Sequence, residues 1–265
     1  MSMQPLATLP HAVRRAFRGV LTDIDDTLST HRRITPTAYA ALARLRAAGL
    51  LVIPITGRPA GWCDHIARMW PVDAIVGENG SLYMRHDDRK GKLRKRYFAD
   101  AASRRAAKAR LERIGETLLR SVPGCALASD QAYRETDLAI DYCEDVPPLP
   151  REAVDRIVAL MRAEGMTVTI SSIHVNGWFG DYDKLTMTRT LLQEEFGMDL
   201  DAERERFVFV GDSPNDAPMF EFFPYAVGVA NVQRFADRID TPPRYVTTRE
   251  AGAGFAELAE LLAAG

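Results

Sequence analysis

Three stretches of this chain join acids, hydroxyls and glycine in patterns suited to phosphate chemistry: Asp23-Ile24-Asp25-Asp26-Thr27, Thr56-Gly57-Arg58 and Gly211-Asp212-Ser213-Pro214-Asn215-Asp216. Asp23, Asp25, Asp212 and Asp216 gathered in one cleft would raise one another's pKa unless a cation offset the repulsion. With only oxygen donors on offer, the cation expected is Mg²⁺, which takes one or two carboxylates, waters and substrate phosphate oxygens. Thr56 offers a hydroxyl and Gly57 lets backbone N–H groups approach an anion. Pro59 falls where a helix opens, and its N-terminus favours negative charge. Lys184 would add a point charge to the same phosphoryl group. Arg58 and Asn215, inside the same stretches, are further candidates for substrate contact.

What must bring them together is a parallel sheet. Apolar Phe17–Leu21 reads as a strand. Thr35-Pro36 then supplies a helix cap and a first-turn proline, Gly49 a left-handed stop, and Leu50–Ile55 a second buried strand. Short turns make this a right-handed βαβ unit, which a helix over 61–69 and a strand over 73–76 extend. Each polar stretch follows directly on such a strand, so all of them lie at carboxyl ends, the edge where open parallel sheets bind ligands. Taken singly, Asp-x-Asp-x-Thr is equally a capped turn, and Lys184 a solvated helix residue. It is their coincidence on one edge that argues for a site.

After Glu78-Asn79-Gly80 the texture changes. Segments 81–84 and 93–98 read as a hairpin, followed by a long helix over 100–122, strands near 125–129 and 134–142, a helix over 151–164 and strands through 166–176. Helix-strand-strand, repeated, predicts an antiparallel α+β unit. Alternation returns with a helix over 184–196, a strand over 207–210 and a helix over 217–222. The expected class is therefore α/β: a Rossmann-like parallel core formed by 1–81 and 181–265, with an α+β cap inserted over 82–180. Arg134, His174, Asn176 and Trp178 are the insert's candidates for holding a leaving group, and Glu78 is a further candidate beside them.

Composition narrows the classes. Lys plus Arg number 34 against 36 Asp plus Glu, which disfavours a general nucleic-acid binder. No apolar run approaches the roughly 20 residues that cross a bilayer, so no membrane partner is expected. Three cysteines without Cys-x-x-Cys spacing suggest neither a disulfide framework nor a zinc cage, and fit a cytoplasmic setting. The basic start, Met1–Arg18, reads as a short tail. The partner expected is a small phosphorylated molecule; the sequence sets no oligomeric state.

The order Asp-x-Asp-x-Thr, Thr56, Lys184, Gly-Asp-x-x-x-Asp resembles the haloacid dehalogenase superfamily. Glu78-Asn79-Gly80 ahead of an insert is similar to its Cof-like (type IIB) branch. The run from Gly211 to Met219 resembles mannosyl-3-phosphoglycerate phosphatases and related sugar-phosphate phosphatases. The resemblance implies a phosphatase in which Asp23 is the nucleophile and forms a phosphoaspartate, while Asp25 protonates the leaving alcohol and then activates water. It implies Mg²⁺ held by Asp23, the Asp25 carbonyl, Asp212 and Asp216, with Thr56 and Lys184 stabilising the transferred group. Leu185 departs from the glycine that much of the branch has after the lysine. The doubled glycine of phosphomannomutases is absent near Asp212, which favours hydrolysis over a phosphohexose mutase. A receiver-like phospho-accepting module is the alternative of another class, but it places its acceptor on a middle strand.

Overall fold

The structure, a computed structural model, describes residues 3–263. Its strands are β1 (Gln4–Pro5), β2 (Gly19–Thr22), β3 (Ser29–Thr30), β4 (Arg33–Ile34), β5 (Leu51–Pro54), β6 (Ile75–Gly77), β7 (Leu82–Asp87), β8 (Lys92–Tyr97), β9 (Ala126–Leu127), β10 (Asp137–Asp141), β11 (Thr167–Ile170), β12 (His174–Trp178), β13 (Phe207–Gly211), β14 (Val227–Gly228) and β15 (Tyr245–Val246). Its helices are α1 (His11–Ala16), α2 (Pro36–Ala47), α3 (Ala60–Met69), α4 (Ala101–Ser121), α5 (Arg151–Ala163), α6 (Lys184–Phe196), α7 (Leu200–Glu203), α8 (Ala217–Phe222) and α9 (Ala251–Ala263).

Six strands pair in the order β1-β15-β14-β13-β2-β5, every neighbour parallel, and a parallel bridge from Ile55 to Val76 brings β6 alongside. The α/β class expected from the sequence is borne out. Strand periodicity divides the core cleanly. Val20, Val52, Val208 and Val210 face the side covered by α2, α3 and α9, whereas Leu21, Ile53, Phe207 and Phe209 face α6 and α8. With both faces covered, the strands read as continuous apolar runs rather than alternating ones.

Helix starts follow local chemistry. Thr35 accepts a hydrogen bond from the Ala38 amide at 3.2 Å ahead of Pro36, as the sequence predicts, a cap typically worth about 1 kcal/mol. Gly49, at φ +82°, closes that helix in the left-handed region. Spacing in the sequence predicts an apolar stripe on α2 through Tyr39, Leu42 and Leu45; in the structure Leu42 and Leu45 are buried together with Ala38 and Ala41, while Tyr39 turns outward, its hydroxyl donating to the Met69 carbonyl. The tail over 1–18 needs correcting as well. Gln4–Pro5 is an edge strand on β15, and Leu6 and Leu9 are fully packed in the core, so the segment is held by the sheet; Met1 and Ser2 lie outside the described residues.

The inserted segment carries its own antiparallel sheet, β11-β12-β10-β9, backed by α4 and α5. Hairpin β7–β8 stands apart from it. It pairs with β6, and Leu82, Met84, Leu93 and Tyr97 pack into the same apolar cluster as α3.

Candidate active site

Strand β13 is buried along its whole length and ends at Gly211, where a Cβ would meet an Asp216 carboxylate oxygen at 2.3 Å. Lacking one, the chain lets the Asp216 carboxylate fold back over the strand end and accept the amides of Asp212, at 3.0 Å, and Ser213, at 3.3 Å. On the adjacent strand end Asp23 is likewise buried. Lys184, the first residue of α6, reaches between the two, its ammonium 2.9 Å from Asp23 and 2.7 Å from Asp216. Its helix is started by Asp183, which accepts from the Thr186 amide at 2.7 Å. Gly80, at φ +105°, lets its loop abut that start: a Cβ there would lie 1.9 Å from the Asp183 carbonyl oxygen.

Asp23, Asp212 and Asp216 can each offer an oxygen such that all lie within 4.8 Å of one another. Among the described residues Asp212 accepts from neutral donors only, the Thr27 hydroxyl and the Asn231 amide, both at 3.2 Å. Burial, joined by repulsion from Asp216, Asp23 and Asp26, holds its carboxyl well above the usual range. Burial also pushes Asp23 up to about 7; Lys184 opposes the rise while Asp216 and Asp25 add to it. For Lys184, burial disfavours the charge, but the two carboxylates more than offset it and raise its pKa. One ammonium thus contacts two of three carboxylates, and the deficit is of positive charge.

Asp25 stands apart from that trio. Its carboxylate accepts from Arg58 through Nε at 2.9 Å and Nη2 at 2.9 Å, and the same guanidinium reaches Asp130 at 3.0 Å and Glu144 at 2.6 Å in the insert. Burial alone would raise Glu144, but His174 and Arg58 beside it hold it down to about 2. Arg134, wholly buried, lies 3.1 Å from Asp130 and 3.0 Å from Asp137, and it donates to the Gly57 carbonyl at 2.8 Å. Glu78 accepts the amides of Ala60, Glu135 and Thr136 and the Thr136 hydroxyl. Burial pushes it up to about 7, and Asp137 adds repulsion. These contacts stitch the insert to the turn that follows β5.

Residues 20–137 match the family model described as haloacid dehalogenase-like hydrolase. The match spans the first strands of the core and the segment up to β10, a little under half of the chain. A phosphoglycolate phosphatase of Methanothrix thermoacetophila is 28% identical over 246 residues, covering 91% of this chain and 95% of that protein. In fold, the chain is similar to the C-terminal domain of the C. albicans trehalose-6-phosphate phosphatase, with TM-score 0.71, 14% identity and coverage of 100% and 99%. It is also similar to the sucrose-phosphatase of Synechocystis, with TM-score 0.63, 17% identity and coverage of 93% and 98%. The resemblance read from the motifs is borne out, and so is the expectation of a phosphatase enzyme.

In the structure the residues singled out from the sequence fall into two groups. Asp23, Lys184, Asp212 and Asp216 meet at the sheet edge. Thr56, at the end of β5, accepts the Arg58 amide at 3.0 Å, and Asn215 accepts from the Ser213 hydroxyl at 2.8 Å. Arg134 precedes β10 rather than lying in it, because Gln131–Tyr133 forms a turn, and its guanidinium is taken up by buried pairs. Asn176 donates to Asp137 at 3.1 Å. Trp178 is buried, donating to the Tyr182 carbonyl at 3.1 Å and stacking on that ring. His174 places Nε2 2.8 Å from a Glu144 oxygen, off the line of a hydrogen bond.

Asn231, Asp130 and Glu144 escaped the sequence reading. For Asn231 a signal existed: it is the first strongly polar residue past the strand near Val227–Gly228, at the same edge as the acids. Its amide bridges the Asp26 carbonyl at 2.9 Å and Asp212. For Asp130 and Glu144 none did, since their role arises only where the insert meets Arg58. A cavity of about 950 Å³ on hairpin β7–β8 lies away from the acid cluster, with Arg46, Arg68, Lys90 and Arg94 each paired to an acid.

Proposed function

We propose that this enzyme hydrolyses a small phosphorylated metabolite, a sugar phosphate, with Mg²⁺ as cofactor and a phosphoaspartate on Asp23 as intermediate. The observation that carries the reading is the trio Asp23, Asp212 and Asp216, of which Lys184 contacts only Asp23 and Asp216. An all-oxygen donor set short of positive charge fits a hard divalent cation, with Asp23, the Asp25 carbonyl, Asp212 and Asp216 as the groups that would hold it. Bound there, it would neutralise charge on the phosphoryl oxygens. The names carried by the relatives support the substrate class.

In this reading an Asp23 oxygen attacks phosphorus in line, the bond from phosphorus to the leaving oxygen breaks, and Asp25 gives that oxygen its proton. Water then attacks the phosphoaspartate, Asp25 takes the proton back, and inorganic phosphate leaves. Lys184 and the Thr56 hydroxyl stabilise the transferring group. In this reading the Arg58 guanidinium, which holds Asp25 here, shifts off it toward Asp130 and Glu144, which it already touches, when substrate binds. The insert acts as a cap that excludes water from the edge. Because hairpin β7–β8 packs with β6 and α3, the closing part of 82–180 is assigned to the stretch that begins with α4. A cytoplasmic setting belongs to the same reading, supported by three free cysteines.

The test is phosphate release from hexose phosphates with Mg²⁺, repeated after chelation and in Asp23→Asn. Release that survives either change sinks the reading. An isomerised sugar phosphate in place of free phosphate would make the protein a mutase, and a stable phosphoprotein alone would make it a phospho-accepting module.

A further inference from the structure

Beside Asp25, and outside the acid trio, a cavity of about 560 Å³ opens between three parts of the chain. These are the β3–β4 flap, the start of α3, and the turn Gln131–Tyr133 of the insert. Aromatic faces form much of its wall, from Trp62, Trp70 and Tyr133, and Arg32 and His65 add polar groups. Trp62 is 41% exposed and Tyr133 59%, large apolar faces left open around a concave surface.

The wall is built, not incidental. The Arg58 guanidinium, which holds Asp25, lies 4.5 Å over the Trp62 ring, so the aromatic face adjoins the proposed proton carrier. Tyr133 sits directly on Gly61, where a Cβ would come within 2.9 Å of the tyrosine's own. Trp70 is braced edge-on by Tyr39 at 6.1 Å. In the flap, His31 at φ 50° and Arg32 at φ 65° occupy two successive left-handed positions that neither side chain favours. That turn presents Arg32 at the cavity, its guanidinium donating to the Cys143 carbonyl at 3.2 Å while the side chain remains 52% exposed.

A space of this size suits a ligand of a dozen or more heavy atoms, since small-molecule sites run from about 300 to 1,000 Å³. A two-carbon acid would leave most of it to water. Flat aromatic faces joined to a few polar groups match an alcohol with an apolar face and several hydroxyls.

We propose that this cavity receives the leaving group and that it selects a sugar ring. The ring's C–H face lies on Trp62 and Tyr133, its hydroxyls meet Arg32 and His65, and its esterified oxygen points to Asp25. The assignment rests on the phosphatase reading above, and it makes Trp62 and Tyr133 the residues that set specificity.

Calorimetry on the Asp23→Asn protein with Mg²⁺ would compare glucose 6-phosphate, mannose 6-phosphate and fructose 6-phosphate with phosphoglycolate, alongside wild-type turnover of all four. At least one hexose phosphate should bind more tightly than phosphoglycolate. Trp62→Ala and Tyr133→Ala should each cut that preference by up to about tenfold, the scale of one aromatic contact, with an unchanged unfolding midpoint. Tyr133→Phe should retain it. A preference for phosphoglycolate, or one that neither alanine variant changes, would overturn the assignment. Should wild-type enzyme release phosphate from none of the four while the binding preference still responds to the variants, the phosphatase reading falls and the cavity assignment stands.

Discussion

At the carboxyl edge of the sheet, Asp23 and Asp216 share a single ammonium, and among the described residues Asp212 touches no cation. Under the insert, by contrast, Asp25, Asp130, Asp137 and Glu144 each contact a guanidinium within about 3 Å. Both regions are buried and acidic, yet they differ in where compensation comes from. In the lattice around Arg58 and Arg134 the counter-charge is part of the chain, so the contacts serve to hold the insert against the turn after β5. In the trio the counter-charge is incomplete, and burial pushes the Asp23 and Asp212 carboxyls up. A place that keeps unmatched charge is a place prepared for something that arrives.

Four changes would break or sharpen that contrast. The largest effect is expected from Asp23→Asn, which removes the proposed nucleophile and should lower phosphate release by about 10³-fold or more; circular dichroism should show the fold intact. Arg134→Met attacks the other region. It strands Asp130 and Asp137 with less compensation and should cost about 3 to 5 kcal/mol of stability in denaturant titrations, the usual price of halving a buried ion pair. A loss below 1 kcal/mol would mean that the lattice holds little together.

Asp212→Asn tests the trio's deficit more gently. It should raise the Mg²⁺ concentration for half-maximal turnover about tenfold or more, and it should shrink the rise in unfolding temperature that Mg²⁺ gives the wild type. An undiminished rise would place the cation elsewhere.

The smallest effect is a pH slope. Glu78 in the folded chain holds its proton up to about 7 against an ordinary 4.5. Its contribution to stability is therefore full below 4.5 and is lost as pH rises through about 7. Asp23 adds a slope of the same sign in metal-free buffer. Melting curves between pH 4 and 8 should show Mg²⁺ removing the part of Asp23, and Glu78→Gln removing the part that Mg²⁺ leaves. If Mg²⁺ flattens the whole slope, Glu78 titrates as an ordinary carboxylate.

Much of this arrangement is legible in the chain because it is local. Apolar runs fix β2, β5 and β13. The Thr35-Pro36 and Asp183-Lys184 pairs fix the starts of α2 and α6, and the polar residues next to the strand ends inherit their edge from parallel pairing. The need for glycine at 211 is not legible there, since it arises only where the Asp216 carboxylate folds back over the strand end. Tyr39 misled because amphipathic spacing tells which residues share a face, not which edge of the stripe reaches solvent. Arg134 misled because a basic residue beside a strand looks the same whether it awaits a ligand or already has two acids.

The amino-acid order by itself determined the parallel core, the edge at which Asp23, Lys184, Asp212 and Asp216 meet, and the all-oxygen character of that site. Each follows from strand pattern, capping and side-chain chemistry, which act within a few residues. Tertiary structure alone decided that Arg58 clasps Asp25 together with Asp130 and Glu144, that Asn231 steadies Asp212, and that Trp62 and Tyr133 face a common cavity. Those relations join segments far apart along the chain. They come into being only when the insert docks, because burial then forces each charge to take the nearest partner that geometry allows.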